Sequence, residues 1–210
     1  MICLSDNDLI RKLAACDLLE EALAALEATR DEVFVLPTAR YVLLKPIKKP
    51  EQAKVRMGEA VFERLKAFLE SVQTLSAPPP ADEQQLLDDA VGIDAGEAVL
   101  FSSTAHFAEF LVATSDKTSL RALASTPACQ PVFQRLQGHV ITFEQILVRV
   151  IDRIGFESLL AKVVPALHCD TVLRAVFGSG LEATEANVRS GLIGYIEHLR
   201  RETNGLLITP

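Results

Sequence analysis

Phe110-Leu111-Val112-Ala113-Thr114-Ser115-Asp116-Lys117 is the stretch on which the fold turns. Five apolar or β-branched residues followed abruptly by polar ones describe a short strand buried on both faces. Three other runs share the pattern. Met1-Ile2-Cys3-Leu4 opens the chain and ends in Ser5-Asp6-Asn7-Asp8, Val33-Phe34-Val35-Leu36 is closed by Pro37, and His139-Val140-Ile141-Thr142-Phe143 follows Gly138. Strands buried on both faces need helices above and below, and the intervening sequence supplies them.

Leu9, Ile10 and Leu13, then Leu18, Leu19, Ala22, Leu23 and Leu26, recur at three- and four-residue spacing, so two helices are expected, with Asp17 capping the second. A short helix is expected over 41–44. Residues 50–75 predict one long amphipathic helix, with Val55, Phe62 and Leu69 seven apart and Leu65 and Val72 likewise, ended by Ala77-Pro78-Pro79-Pro80. Further helices are expected over 82–91, 94–106, 117–124 and 127–136. Beyond the last strand they continue over 144–154, 157–164, 170–177 and 182–201. Strands alternating with helices predict an α/β fold with a parallel β-sheet flanked by helices in three layers.

The chain has 210 residues, 49% hydrophobic and 23% charged, enough to bury a sizeable core, which excludes collagen-like and wholly disordered classes. Cys3, Cys16, Cys129 and Cys169 form no CxxC or Cys/His cluster, which argues against a zinc site or a secreted disulfide framework. The first residues meet an acid at Asp6 where a signal peptide would be basic, and no apolar run approaches the roughly 20 residues of a membrane span. A soluble cytoplasmic protein with no membrane partner is expected. Net charge is −7, but unevenly spread. No Lys or Arg lies between Ala67 and Asp116, a stretch rich in acids, whereas Lys45, Lys48, Lys49, Lys54, Arg56, Arg64 and Lys66 precede it.

In parallel sheets chemistry gathers beyond the carboxyl ends of the strands. Asp6 and Asp116 fall there by counting, and Glu97 opens a helix in the same region. Carboxylates brought together repel one another unless a cation intervenes, and hard oxygen ligands suit Mg²⁺ or Mn²⁺. An acid cluster without His or Cys favours phosphoryl-transfer chemistry over zinc hydrolysis. The local alternative is capping: Asp94 and Glu97, three apart, compose a capping box, and Asp6 and Asp116 each precede a helix. A Rossmann-like small-molecule enzyme would also place acids at strand ends, yet no GxGxxG or GxxxxGK occurs.

Three segments together resemble the PIN-domain family of metal-dependent nucleases, of the kind found in bacterial toxin–antitoxin ribonucleases. Cys3-Leu4-Ser5-Asp6-Asn7-Asp8-Leu9-Ile10 is similar to the family's opening strand and first metal-binding acid. Ile93-Asp94-Ala95-Gly96-Glu97-Ala98 resembles its D-x-G-E-A helix start. Leu111-Val112-Ala113-Thr114-Ser115-Asp116-Lys117 resembles its T-x-D-K/R strand end. The resemblance covers residues 1–143, with a basic helical insertion at 45–80 and a helical extension at 144–210.

It implies a ribonuclease in which Asp6, Glu97 and Asp116 are catalytic and bind the metal, with Asp8 and Asp94 as auxiliaries. The metal would be Mg²⁺ or Mn²⁺. Lys48, Lys49, Lys54, Arg56 and Lys117 would contact RNA phosphates. The 50–75 helix is a candidate surface for a protein partner or a homodimer, although intramolecular packing is the expected use of its stripe. The chain departs from the family at 37–44, where many members carry a further acid and this one has none. That departure supports an alternative, a catalytically weakened PIN-like domain acting as a nucleic-acid- or protein-interaction module.

Overall fold

The computed structural model describes residues 2–44 and 57–209. In chain order the elements are β1 (Ile2–Ser5), α1 (Asn7–Ala15), α2 (Leu19–Ala25), β2 (Val33–Val35), α3 (Ala39–Leu44), α4 (Glu59–Ser71) and β3 (Gln73–Thr74). They continue with α5 (Ala81–Asp88), α6 (Ala95–Ser103), β4 (Phe110–Thr114), α7 (Lys117–Ser125), α8 (Gln130–Leu136) and β5 (Val140–Thr142). The helices α9 (Phe143–Ile154), α10 (Phe156–Val163), α11 (Thr171–Val176) and α12 (Glu185–Glu202) complete the chain, and short 3-10 turns join several of these elements.

The strands form one parallel five-stranded sheet in the order β3-β2-β1-β4-β5. Alternation along each strand divides the core in two. Cys3, Val33, Val35, Leu111, Ala113 and Ile141 face a layer built from α1–α4 and α9–α11, with Val188 and Leu192 of α12. Leu4, Phe110, Val112 and Val140 face the opposite layer of α5–α8, with Ile196 and Leu199 of α12. This is an α/β fold with helices on both faces of a parallel sheet, as the burial of every residue of β4 requires.

Three expectations change. Asp17 does not cap α2: it sits at φ 54, Leu18 takes the N-cap position, and the Asp17 carboxylate pairs with Arg64 at 2.7 Å and Lys162 at 3.1 Å. The helix expected over 50–75 runs over Glu59–Ser71 among the described residues, and its continuation becomes a strand. Gln73 and Thr74 are exposed, so β3 carries no apolar signal and exists because its backbone pairs with Phe34 and Val35 at the sheet edge. The 45–80 segment thus contributes an edge strand as well as a helix. Phe62, Leu65, Phe68 and Leu69 of α4 are buried, and the last three belong to the main core, so the stripe packs on its own chain. The extension at 144–210 shares that core with α1 and α2. Among the described residues no helix is long and apolar enough to cross a membrane.

Candidate functional site

β1 and β4 are parallel neighbours, registered from Ile2 opposite Phe110 to Ser5 opposite Ala113, so the residues that follow them emerge side by side. From β1 the chain steps outward to β2 and β3, then crosses back to β4 on the other side. The crossovers diverge at this point, and the region beyond the carboxyl ends at such a point is the usual ligand position in open α/β sheets.

Asp6 directly follows β1 at this edge. It is 3% exposed. Its Oδ1 accepts the Leu9 N–H at 2.5 Å, which caps α1, and its Oδ2 accepts the Ser115 N–H at 2.7 Å. Burial pushes this carboxyl upward, partly opposed by the bonds from Leu9, Thr114 and Ser115. Asp8, in the first turn of α1, accepts from Ser115 Oγ at 2.8 Å and pairs with Arg11 and with Lys12, the latter at 2.7 Å. Burial works upward on Asp8, but Lys12, then Arg11 and Ser115, outweigh it and hold the carboxyl at about 2. Lys12 is itself buried and reaches a second carboxylate, Asp170, at 2.8 Å, with its ammonium 5.9 Å from the centre of the Phe143 ring.

The other acids sit at two helix starts. Asp94 caps α6, its Oδ1 accepting from Gly96 N at 2.7 Å and Glu97 N at 3.0 Å. A side chain at position 96 would meet that oxygen at 3.1 Å, which accounts for the glycine. The Glu97 carboxyl is pushed up to about 8, first by burial, then by its hydrogen bond and charge repulsion with Asp94, with Asp116 adding a smaller repulsion. A carboxyl–carboxyl hydrogen bond requires a shared proton. Glu97 Oε2 is buried and receives no donor among the described residues. Asp116 caps α7 through Oδ1, accepting from Thr118 N at 2.7 Å and Ser119 N at 3.3 Å.

The capping roles read from the sequence are therefore present at Asp6, Asp94 and Asp116. The structure joins Asp6 and Asp8 through Ser115, and sets Asp94 and Asp116 each within electrostatic reach of Glu97. Among the described residues no three His, Cys, Asp or Glu side chains are grouped so as to hold a metal ion. This arrangement does not resemble a closed four-ligand cage. A hydrated Mg²⁺ or Mn²⁺ would need fewer protein ligands, commonly one or two carboxylates, with its shell completed by water and substrate phosphate.

Lys117 is committed to a buried ion pair with Glu144 at 2.6 Å, the Glu144 side chain being 2% exposed. Lys48, Lys49, Lys54 and Arg56 lie outside the described residues. Lys12, Asp170 and Glu144 were not singled out from the sequence. Lys12 had a signal, four residues after Asp8 on one helix face. So did Glu144: Thr114 and Thr142 are registered partners, and Asp116 and Glu144 each follow by two residues. Asp170 had none. Comparison with protein-family models, curated proteins and solved structures finds no match.

Proposed function

We propose that this chain is a divalent-metal-dependent ribonuclease of PIN-like type, hydrolysing phosphodiester bonds at the carboxyl edge of the sheet. The observation that carries the reading is the position of Asp6 and Asp116 beyond adjacent strand ends at the point where the crossovers diverge, with the Glu97 carboxyl within electrostatic reach of Asp116. Asp6, Glu97 and Asp116 would hold Mg²⁺ or Mn²⁺. When bound, the ion supplies Lewis acidity at a phosphoryl oxygen and lowers the pKa of water. The chain's own contribution is placement: Ser115 fixes Asp6 and Asp8 through its N–H and hydroxyl, and the α6 and α7 caps fix Asp94 and Asp116. The cationic 45–56 sequence would follow the RNA backbone.

The test is cleavage of end-labelled RNA with Mg²⁺, Mn²⁺ or EDTA, in the wild type and in Asp116→Asn. Asn still caps a helix, so the variant keeps its fold while losing the charge. Cleavage should fall by orders of magnitude with EDTA and in the variant alike; a fully active Asp116→Asn or EDTA-resistant cleavage defeats the proposal. The missing acid at 37–44 favours one second reading, an interaction module that binds RNA or protein without cutting. It predicts RNA retention with no metal-dependent product in the wild type.

A further inference from the structure

Two of the cysteines are brought together from distant parts of the chain. Cys16 terminates α1, and Cys169 ends the 3-10 turn (Val164–Cys169) that precedes α11. Contacts before and after Cys16 in the chain, an ion pair from Lys12 and a hydrogen bond to Asp17, tie it to the region around Cys169. Lys12, one turn before Cys16 on the same helix face, binds Asp170 at 2.8 Å, and Asp170 adjoins Cys169. On the other side Lys162 donates to the carbonyl of Asp17, which adjoins Cys16, at 2.8 Å. Cys16 is fully buried and Cys169 partly exposed, packed against the core that contains Cys16. Each thiol acts electrostatically on the other, which sets the two sulfurs within reach of one another.

We propose that Cys16 and Cys169 form an oxidisable dithiol, with Cys169 the peroxide-reactive sulfur and Cys16 the resolving one. The division of labour follows from access: Cys169 is partly exposed, whereas Cys16 is fully buried. Contact with Cys16 draws the Cys169 thiol down, while that contact and burial push Cys16 up. The thiolate of Cys169 attacks a peroxide oxygen: an S–O bond forms, the O–O bond breaks, and one water leaves with the proton the thiol released. The Cys16 sulfur then displaces the hydroxyl of the sulfenic acid. An S–S bond forms, the S–O bond breaks, and the Cys16 proton leaves in a second water. Two thiols are oxidised to one disulfide and one hydrogen peroxide is reduced to two waters.

The other two cysteines are placed differently. Cys3 is buried in β1 with its thiol pushed up to about 12 by burial, and Cys129 is buried with its thiol on the Leu86 carbonyl at 3.5 Å. The disulfide would tie α1, the helix that follows Asp6, to the C-terminal helical segment, closing a loop over most of the chain. Long loops are where a cross-link restricts the unfolded chain most. The inference stands independently of nuclease activity.

The experiment treats the full chain with a slight excess of hydrogen peroxide, blocks residual thiols, and maps peptides without reduction. The expected result is a loss of two hydrogens in intact mass, a peptide linking Cys16 to Cys169, reversal by dithiothreitol, and a rise of several degrees in Tm. In Cys16→Ser the link should vanish and Cys169 should be captured by a sulfenic-acid probe. Because Cys16 is buried and its variant can fail to fold, the native wild type is also footprinted with iodoacetamide. Cys169 should be the fastest-labelled cysteine and should lose that reactivity after peroxide. Oxygen addition at Cys169 without the link, a link between other cysteines, or faster labelling of Cys3 or Cys129 overturns the proposal.

Discussion

Ser115 donates its backbone N–H to Asp6 Oδ2 at 2.7 Å, a bond between residues 109 apart in the chain. The same carboxylate caps α1, so a single side chain fixes both the start of the first helix and the end of the fourth strand. Ser115 Oγ extends the connection to Asp8, from there to Lys12, and on to Asp170 in the C-terminal segment.

Asp6→Ala removes both acceptors and leaves two buried N–H groups without partners. Relief of the buried charge offsets only part of this, and a net loss of about 2 kcal/mol is expected. The midpoint of urea unfolding should drop with an unchanged slope; an unchanged midpoint would show that Asp6 is not the tie.

Glu97 makes the metal-free protein sensitive to pH. Its folded-state carboxyl lies at about 8 against an ordinary 4.5, so the native state holds a proton that the unfolded state has released. That contribution is fully present below the ordinary value and is lost as pH rises through about 8. In EDTA, Tm should fall between about pH 5 and about pH 8. Glu97→Gln should flatten the profile and gain roughly 1–2 kcal/mol at the alkaline end, after allowance for solvent screening of a half-buried group. A Gln variant with the wild-type slope would assign the effect elsewhere.

Lys12 neutralises Asp8 and Asp170 from inside the fold. Lys12→Met should cost about 3 kcal/mol, because Asp170 loses its paired cation and Asp8 keeps only Arg11. For Asp8 the sign runs opposite to Glu97: its stabilisation is present above the ordinary 3.8 and disappears as pH falls toward about 2. Acid titration by circular dichroism should show an unfolding limb in that range for the wild type and a smaller one in Lys12→Met.

Lys117 and Glu144 allow a double-mutant cycle. Lys117→Ala strands a buried carboxylate and should destabilise by about 3 kcal/mol, whereas Lys117→Ala with Glu144→Leu should recover much of that loss. If Lys117→Ala instead leaves thermal stability unchanged and lowers only RNA affinity, the residue is a phosphate contact after all.

The strands β1, β2, β4 and β5, most helices and the parallel, doubly covered sheet could be read from the chain because their signals are local. An apolar run such as Phe110–Thr114, a helical period, or an Asp before a helix start is set within a few residues. The caps at Asp94 and Asp116 were legible for the same reason. Asp17 misled because a residue that can cap a helix can also occupy a left-handed turn, and Arg64 and Lys162 make the turn the better use of its charge. β3 was invisible because Gln73 and Thr74 bury no side chain. An edge strand of that kind exists only through the backbone of its neighbour.

The long-range partnerships depended on the assembled sheet. Lys12 meets Asp170, Lys117 meets Glu144, and Cys16 meets Cys169 because the crossovers stack particular helices on particular faces. Lys12 and Asp170, and Cys16 and Cys169, lie more than 100 residues apart in the chain and carry no periodic or capping relation through which one could announce the other. The same holds for Glu97, whose type was readable and whose state was not. Its carboxyl is held near 8 by burial and by the charges of Asp94 and Asp116, and burial is a property of the packed layers, not of any stretch of chain.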